Sequence, residues 1–225
     1  MGESMNRLLR NVPSNVIATY DYYDIAEGTG IKTFTGFIDE TASSAFFAGA
    51  NASHAYLISD GEINISKRLT TWYSIVNSSA LWTKFVNVDF DLGKFNIPKI
   101  IKGTGYFQGT WTIEGSGSNL YCSSALIIKI KKVDLNNNET IYAVVSGALI
   151  YAASTSVSRF EQMAFNIPQI NFKKGENLRI SGEIWSAIHW SGTSGTGLTF
   201  RLYHDPSKTP QSGAFIVKIP FKLDI

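Results

Sequence analysis

Apolar and polar side chains alternate along most of this chain, with a period of two. Residues 16–23 place Val16, Ala18, Tyr20 and Tyr22 on one face of a strand. A Glu27-Gly28-Thr29-Gly30 turn follows, then a second strand over 31–38 interrupted at Gly36, so the two predict a hairpin. A second hairpin is predicted over 55–58 and 62–65, around Ser59-Asp60-Gly61, because Asp-Gly between alternating runs suits a tight turn. Past residue 81 the alternation strengthens, through 85–90 and 103–113. The clearest hairpin is 126–133 with 140–145, whose Asn136-Asn137-Asn138 loop tolerates left-handed backbone. Further strands are expected over 160–167, 178–188, 197–203 and 215–223. No stretch carries a sustained helical period. The first twelve residues read as a short helix or a docking arm ended by Pro13, and 41–53 as a packed loop or short helix. Short strands at close spacing predict an all-β, two-sheet antiparallel sandwich, jelly-roll-like, with an N-terminal arm or extra strands. The expected division is 1–80 as arm and additional hairpins, and 81–225 as the sandwich, within what can be one continuous domain.

One internal echo stands out. Phe95-Asn96-Ile97-Pro98-Lys99-Ile100 returns as Phe165-Asn166-Ile167-Pro168-Gln169-Ile170. Each copy precedes a Lys-Gly pair (Lys102-Gly103, Lys174-Gly175) and then a strand with a tryptophan, Trp111 or Trp185. The expectation is two halves of a sandwich, each delivering strands to both sheets; the simpler reading is that proline marks a strand edge twice.

Composition supports a globular β protein. Of the 225 residues 44% are apolar, 13% aromatic and 17% charged, which fits a pleated, half-buried surface and not a disordered chain. A chain this long buries roughly 70–75% of its unfolded surface, so neither disulfide nor metal is required. The formal charge is +2, and the Lys129, Lys131 and Lys132 group sits on a strand where charge guards an edge, so no nucleic-acid partner is expected. The single Cys122 excludes an internal disulfide and reads as a small buried thiol. Residues 1–10 lack the apolar core of a signal peptide, and the longest apolar stretch, 143–153, is broken by Ser146 and Gly147. No membrane partner is expected, and synthesis in the cytoplasm is.

Candidate chemistry is sparse. His54, His189 and His204 show no ligand spacing, and Asp89 and Asp91 share a strand face without the further oxygens that calcium needs. Gly103-Thr104-Gly105 and the glycine-rich 192–197 lack the Lys-Ser/Thr ending of a phosphate loop. No catalytic residue, metal or cofactor is expected, and the chain reads as not an enzyme. The candidate binding patch is Trp185, His189, Trp190 and Thr193, aromatics beside a polar loop, suited to stacking a sugar or anchoring a protein. Ile184 and Trp185 must face opposite ways; core packing is the expectation for Trp185.

The run Phe165-Asn166-Ile167-Pro168, then Phe172-Lys173-Lys174-Gly175-Glu176-Asn177-Leu178-Arg179-Ile180, then Glu183-Ile184-Trp185 resembles the strand, Lys-Gly-acid turn and strand of jelly-roll modules. Such modules occur in structural proteins of tailed viruses of bacteria and archaea and in some carbohydrate-binding modules. The resemblance spans about residues 81–225. It implies a virion structural protein (capsid, decoration or tail component) assembling as a homo-oligomer with other virion proteins; the alternative is a carbohydrate- or receptor-binding module that takes a glycan.

Overall fold

The computed structural model describes residues 29–39, 54–58, 70–75, 79–116, 120–153, 156–190, 197–205 and 207–222. Twelve strands and one short 3₁₀ turn make up the described chain: β1 (Thr29–Asp39), β2 (His54–Ile58), β3 (Thr70–Ile75), β4 (Ser79–Lys94), β5 (Lys99–Ser116), β6 (Leu120–Val133), β7 (Glu139–Ser146), β8 (Ile150–Ala153), β9 (Val157–Phe172), β10 (Asn177–Trp190), β11 (Gly197–Tyr203), the turn Pro210–Ser212, and β12 (Phe215–Lys222). The fold is the expected all-β antiparallel sandwich.

Two sheets stack face to face. The first runs β3-β11-β5-β12-β1-β2, with β9 on the other edge of β5; the second runs β4-β10-β6-β7, with β8 continuing β7's edge along β6. A parallel contact of two residue pairs, Ala55↔Phe90 and Tyr56↔Asp91, joins β2 to β4 and makes the ladder continuous around one corner. The predicted strand 62–65 lies outside the described residues. At Ala55 and Tyr56, β2 already has β1 on one edge and β4 on the other. The strand predicted over 16–23 also lies outside the described residues, and β1 pairs instead with β12 and β2.

Aromatic rings join the two layers. Phe85 of β4 stacks on Phe200 of β11 at 5.0 Å, and Phe90 of β4 on Phe215 of β12 at 4.3 Å. Trp111, Phe34 and Phe107 are fully buried beside them. Gly36 is required here, because a Cβ on it would stand 2.8 Å from the Phe215 ring and 2.9 Å from that of Phe90. The single Cys122 is free and buried, and burial pushes its thiol up.

The strands are longer than their sequence suggested, because proline and glycine sit inside them. In β9 the buried positions run Glu161, Met163, Phe165, Ile167 and then Ile170 and Phe172. The step from Ile167 to Ile170 matches a step from Gly103 to Ile101 on β5, so one extra residue bulges at Pro168-Gln169. The bulge restores the inward parity of the apolar side chains beyond it. The two echoed segments are therefore not equivalent. Phe165–Pro168 lies inside β9, whereas Phe95–Pro98 is the turn between β4 and β5. The first copy instead packs on the end of β9 beyond the second, the Phe95 ring standing edge-on to Phe172 at 4.9 Å.

Candidate functional site

The outer face of the second sheet carries a row of ionisable side chains with exposed aromatics beside it. Ile180, Ile184 and Ile188 of β10 point into the core, so the alternate positions Arg179, Ser181, Glu183 and Trp185 take the outer face. The register sets Asp91 and Lys131 beside Arg179, Asp89 and Lys129 beside Ser181, and Lys84 and Ala125 beside Trp185. Three strands far apart in sequence thus bring their charges into one row.

These charges pair almost completely. Arg179 grips Asp91 with two parallel bonds, Nε to Oδ1 at 2.6 Å and Nη2 to Oδ2 at 2.7 Å, and reaches Glu139 Oε1 with Nη1 at 2.5 Å. Lys131 Nζ lies 2.9 Å from Glu139 Oε2 and 3.1 Å from Asp89 Oδ1, and the Ser181 hydroxyl donates to the same Asp89 oxygen. Further along, Glu183 takes Lys129 at 2.8 Å, Lys84 at 3.5 Å and the indole N–H of Trp185 at 2.6 Å. Burial lifts the Glu183 carboxyl, but the bonds from Lys129 and Trp185 outweigh it and leave the group below its ordinary value. Burial likewise lowers Lys131, and its bonds to Glu139 and Asp89 leave it raised. Both shifts hold the groups charged at neutral pH. Asp89 and Asp91 do share a strand face, and Lys131 and Arg179 occupy them. Among the described residues no group of three or more His, Cys, Asp or Glu side chains could hold a metal ion.

Around this row lies an apolar rim. Trp82 of β4 is 41% exposed, Tyr121 of β6 56% and Tyr151 of β8 76%; Leu149 beside β8 and Ile141 and Val144 of β7 are also exposed. Their neighbours Cys122, Ile150 and Ala152 are buried, so Tyr121 and Tyr151 alternate outward. A register slip between Ile130 and Lys131 sets Ile141 against Lys131 and Val144 against Lys129, which turns both aliphatics to this face.

Of the sequence-predicted patch, Trp185 joins this face. It is half-buried there, with Ile184 in the core, which corrects the expected core packing of Trp185: the parity of Ile180, Ile184 and Ile188 decides it. Lys129 stands over its ring at 5.8 Å. His189 and Trp190 end β10 opposite Tyr121 and Leu120 in the register. Thr193 lies outside the described residues. Trp82, Tyr121 and Tyr151 were not anticipated, although counting back by twos from Ile130 through Ile128 and Leu126 leaves Tyr121 on the outward parity.

No protein-family model and no curated protein sequence matches the chain. Solved structures do, at low identity. An aminopeptidase from a marine sediment Thaumarchaeota archaeon is 8% identical with a TM-score of 0.48, over 84% of this chain and 36% of that one. An alpha-amino acid ester hydrolase is 10% identical with a TM-score of 0.45, over 74% of this chain and 34% of that one. The chain thus spans about a third of the length of these hydrolases. A structure of infectious bursal disease virus, Gx strain, is 13% identical with a TM-score of 0.23, over 92% of this chain and 59% of that one. These likenesses reach no further than β architecture. With hydrolases among them, the expectation that the chain is not an enzyme is withdrawn. That expectation rested on residue order, which cannot foresee groupings such as Asp89, Lys131 and Ser181, assembled from three separate strands.

Proposed function

We propose that this β-sandwich is a structural component of a virus particle that packs against copies of itself and other particle proteins through the outer face of its second sheet. The observation carrying this reading is the rim of exposed Trp82, Tyr121, Leu149 and Tyr151 around a charge row that is already internally paired. Aromatic side chains left on an otherwise satisfied face are the usual anchors of protein interfaces. The charge row holds the strands' outer side chains in place, so the rim is preorganised. On this reading the protein is made in a host cytoplasm and resides in the virion.

Light scattering and co-sedimentation with particles test it. Self-association or particle binding should fall at least tenfold in a Tyr121→Glu, Tyr151→Glu double variant that melts as the parent does; exposed substitutions of this kind shift stability by only about 0.5 kcal/mol. A parent that stays monomeric at every concentration and binds no particle removes the reading.

Glycan binding is the second reading, favoured by the exposed rings of Trp82 and Tyr151, either of which could stack on a pyranose. A glycan-array signal that vanishes in Trp82→Ala or Trp190→Ala would select it.

A further inference from the structure

One end of the sandwich concentrates positive charge. Three turns meet there: 95–98 between β4 and β5, 134–138 between β6 and β7, and 173–176 between β9 and β10. Backbone bonds tie the first to the third, Phe95 N–H to Glu176 O at 2.9 Å and Gly175 N–H to Phe95 O at 2.8 Å. Leu135 ties in the second, lying so close over Gly175 that a Cβ there would stand 2.7 Å from Leu135 Cδ2. The three turns form one rigid tip.

Six lysines, Lys94, Lys99, Lys102, Lys132, Lys173 and Lys174, lie in these turns or within four residues of them, with Lys131 and Arg179 as near, against four carboxylates, Asp91, Asp134, Glu139 and Glu176. All four carboxylates are used internally, Asp91 by Arg179 and Glu139 by Lys131 and Arg179. Glu176 is buried and accepts Lys132 at 2.6 Å and the Lys173 N–H at 2.6 Å. Asp134 accepts the N–H groups of Asn136 and Asn138, each at 2.8 Å. Lys94, Lys102, Lys173 and Lys174 are exposed. The whole chain carries a formal charge of only +2, so this end is far more basic than the average surface. Two aliphatic side chains project among the lysines, Ile97 at 53% exposure and Leu135 at 64%.

We propose that this tip docks on an anionic lipid surface, with Ile97 and Leu135 entering the interfacial layer and Lys94, Lys102, Lys173 and Lys174 facing acidic headgroups. A bare basic patch would serve any polyanion. Exposed aliphatics at turn tips favour a bilayer, because nucleic acids are held by phosphate contacts and by aromatic stacking, and neither Ile97 nor Leu135 supplies these. Basic residues near an acidic leaflet each add attraction that salt screens, and buried aliphatic groups add a part that salt does not. The sequence-based expectation of no membrane partner rested on the absence of an apolar span; a peripheral contact needs none. The proposal is independent of the aromatic face of the second sheet.

Co-sedimentation of the full chain with vesicles tests it. Vesicles of phosphatidylcholine and phosphatidylserine in equal parts should retain the protein, and phosphatidylcholine alone should not. Retention should fall steeply as salt rises. Lys173→Glu with Lys174→Glu should weaken binding at least tenfold and flatten its salt dependence. Ile97→Gln should weaken binding several-fold with the salt dependence unchanged, which a purely electrostatic contact cannot produce. Thermal melts matching the parent confirm that each variant folds. No retention on acidic vesicles at low salt overturns the proposal, as does binding to duplex DNA that exceeds vesicle binding and ignores Ile97→Gln. Neither result touches the Tyr121 and Tyr151 test of assembly.

Discussion

Glu183 shows how a buried carboxylate ties the stability of this fold to pH. It is 1% exposed on a sheet face where carboxylates ordinarily meet water. Lys129, Lys84 and the Trp185 indole replace that water and leave the carboxyl below its ordinary value despite burial. A group whose folded pKa is lowered contributes stability above its unfolded value, about 4.3 for glutamate, and loses it as pH falls through the folded value. Glu139 and Glu176 shift the same way: burial raises each, and bonds from Lys131 and Arg179, or from Lys132, outweigh it. Stability should therefore hold from neutral pH to about pH 5 and decline steadily below about pH 4. Glu183→Gln keeps the shape and an oxygen for the indole, but leaves Lys129 facing a neutral amide. We expect it to cost about 1–3 kcal/mol near neutral pH and to flatten the acid decline, read as urea midpoints across the pH series. An unchanged acid slope would show that Glu183 is not one of the groups setting it.

At the scale of elements, the sequence reports alternation faithfully and misreads punctuation. The hairpin of β6 and β7 was legible because Leu126, Ile128 and Ile130 alternate cleanly and the Asn-rich loop supplies Asn137 at φ 63°. β9 and β5 were cut short in the reading at Pro168 and at the first glycines of 103–109, where the strands in fact continue. Pro168 sits in the bulge of β9, and Gly103, paired with the preceding Ile167, adopts φ 122°, a conformation closed to most side chains. The same limit applied to the candidate site. Trp185 lay in a strand whose parity could have been counted from Ile180, but Trp82 and Tyr151 lie on strands whose pairing partners only the folded chain reveals. The bulge makes a sharp prediction. Deleting Gln169 removes the extra residue, so Ile167 and Ile170 stand two apart like Gly103 and Ile101 on β5, and the buried Ile170 and Phe172 keep their inward parity. The deletion variant should therefore still melt cooperatively, at a cost of about 1 kcal/mol. Gln169→Ala keeps the count and should change the melting midpoint only slightly. Loss of the cooperative melt in the deletion variant alone would mean that the bulge itself is needed to hold β9 on β5.

For the molecule as a whole, the last described strand closes the first sheet. β12 lies between β1 and β5, so the sheet's centre waits for residues 215–222 while its flanks come from residues 29–39 and 99–116. Phe215, Val217 and Ile219 are fully buried, and Phe215 stacks on Phe90 of the opposite sheet. A chain ending at Gly213 would lose these three side chains, worth about 1.5–3 kcal/mol each. It would also leave β1 and β5 with unpaired edges facing a gap in the core. That loss rivals the 5–15 kcal/mol or so that holds an ordinary domain together. The truncated chain should therefore lack a cooperative melt and be cleaved rapidly by a nonspecific protease, and a synthetic peptide spanning 213–225 should restore protection as it fills the gap. Pairing this distant in sequence also predicts slow folding that begins only after the C-terminal strand is available. A truncated chain that still melts cooperatively would mean that β4, β10 and β6 stand without the sheet packed against them. In that case the Phe85–Phe200 and Phe90–Phe215 stacks would be a contact between two separable layers, not the shared core of one fold.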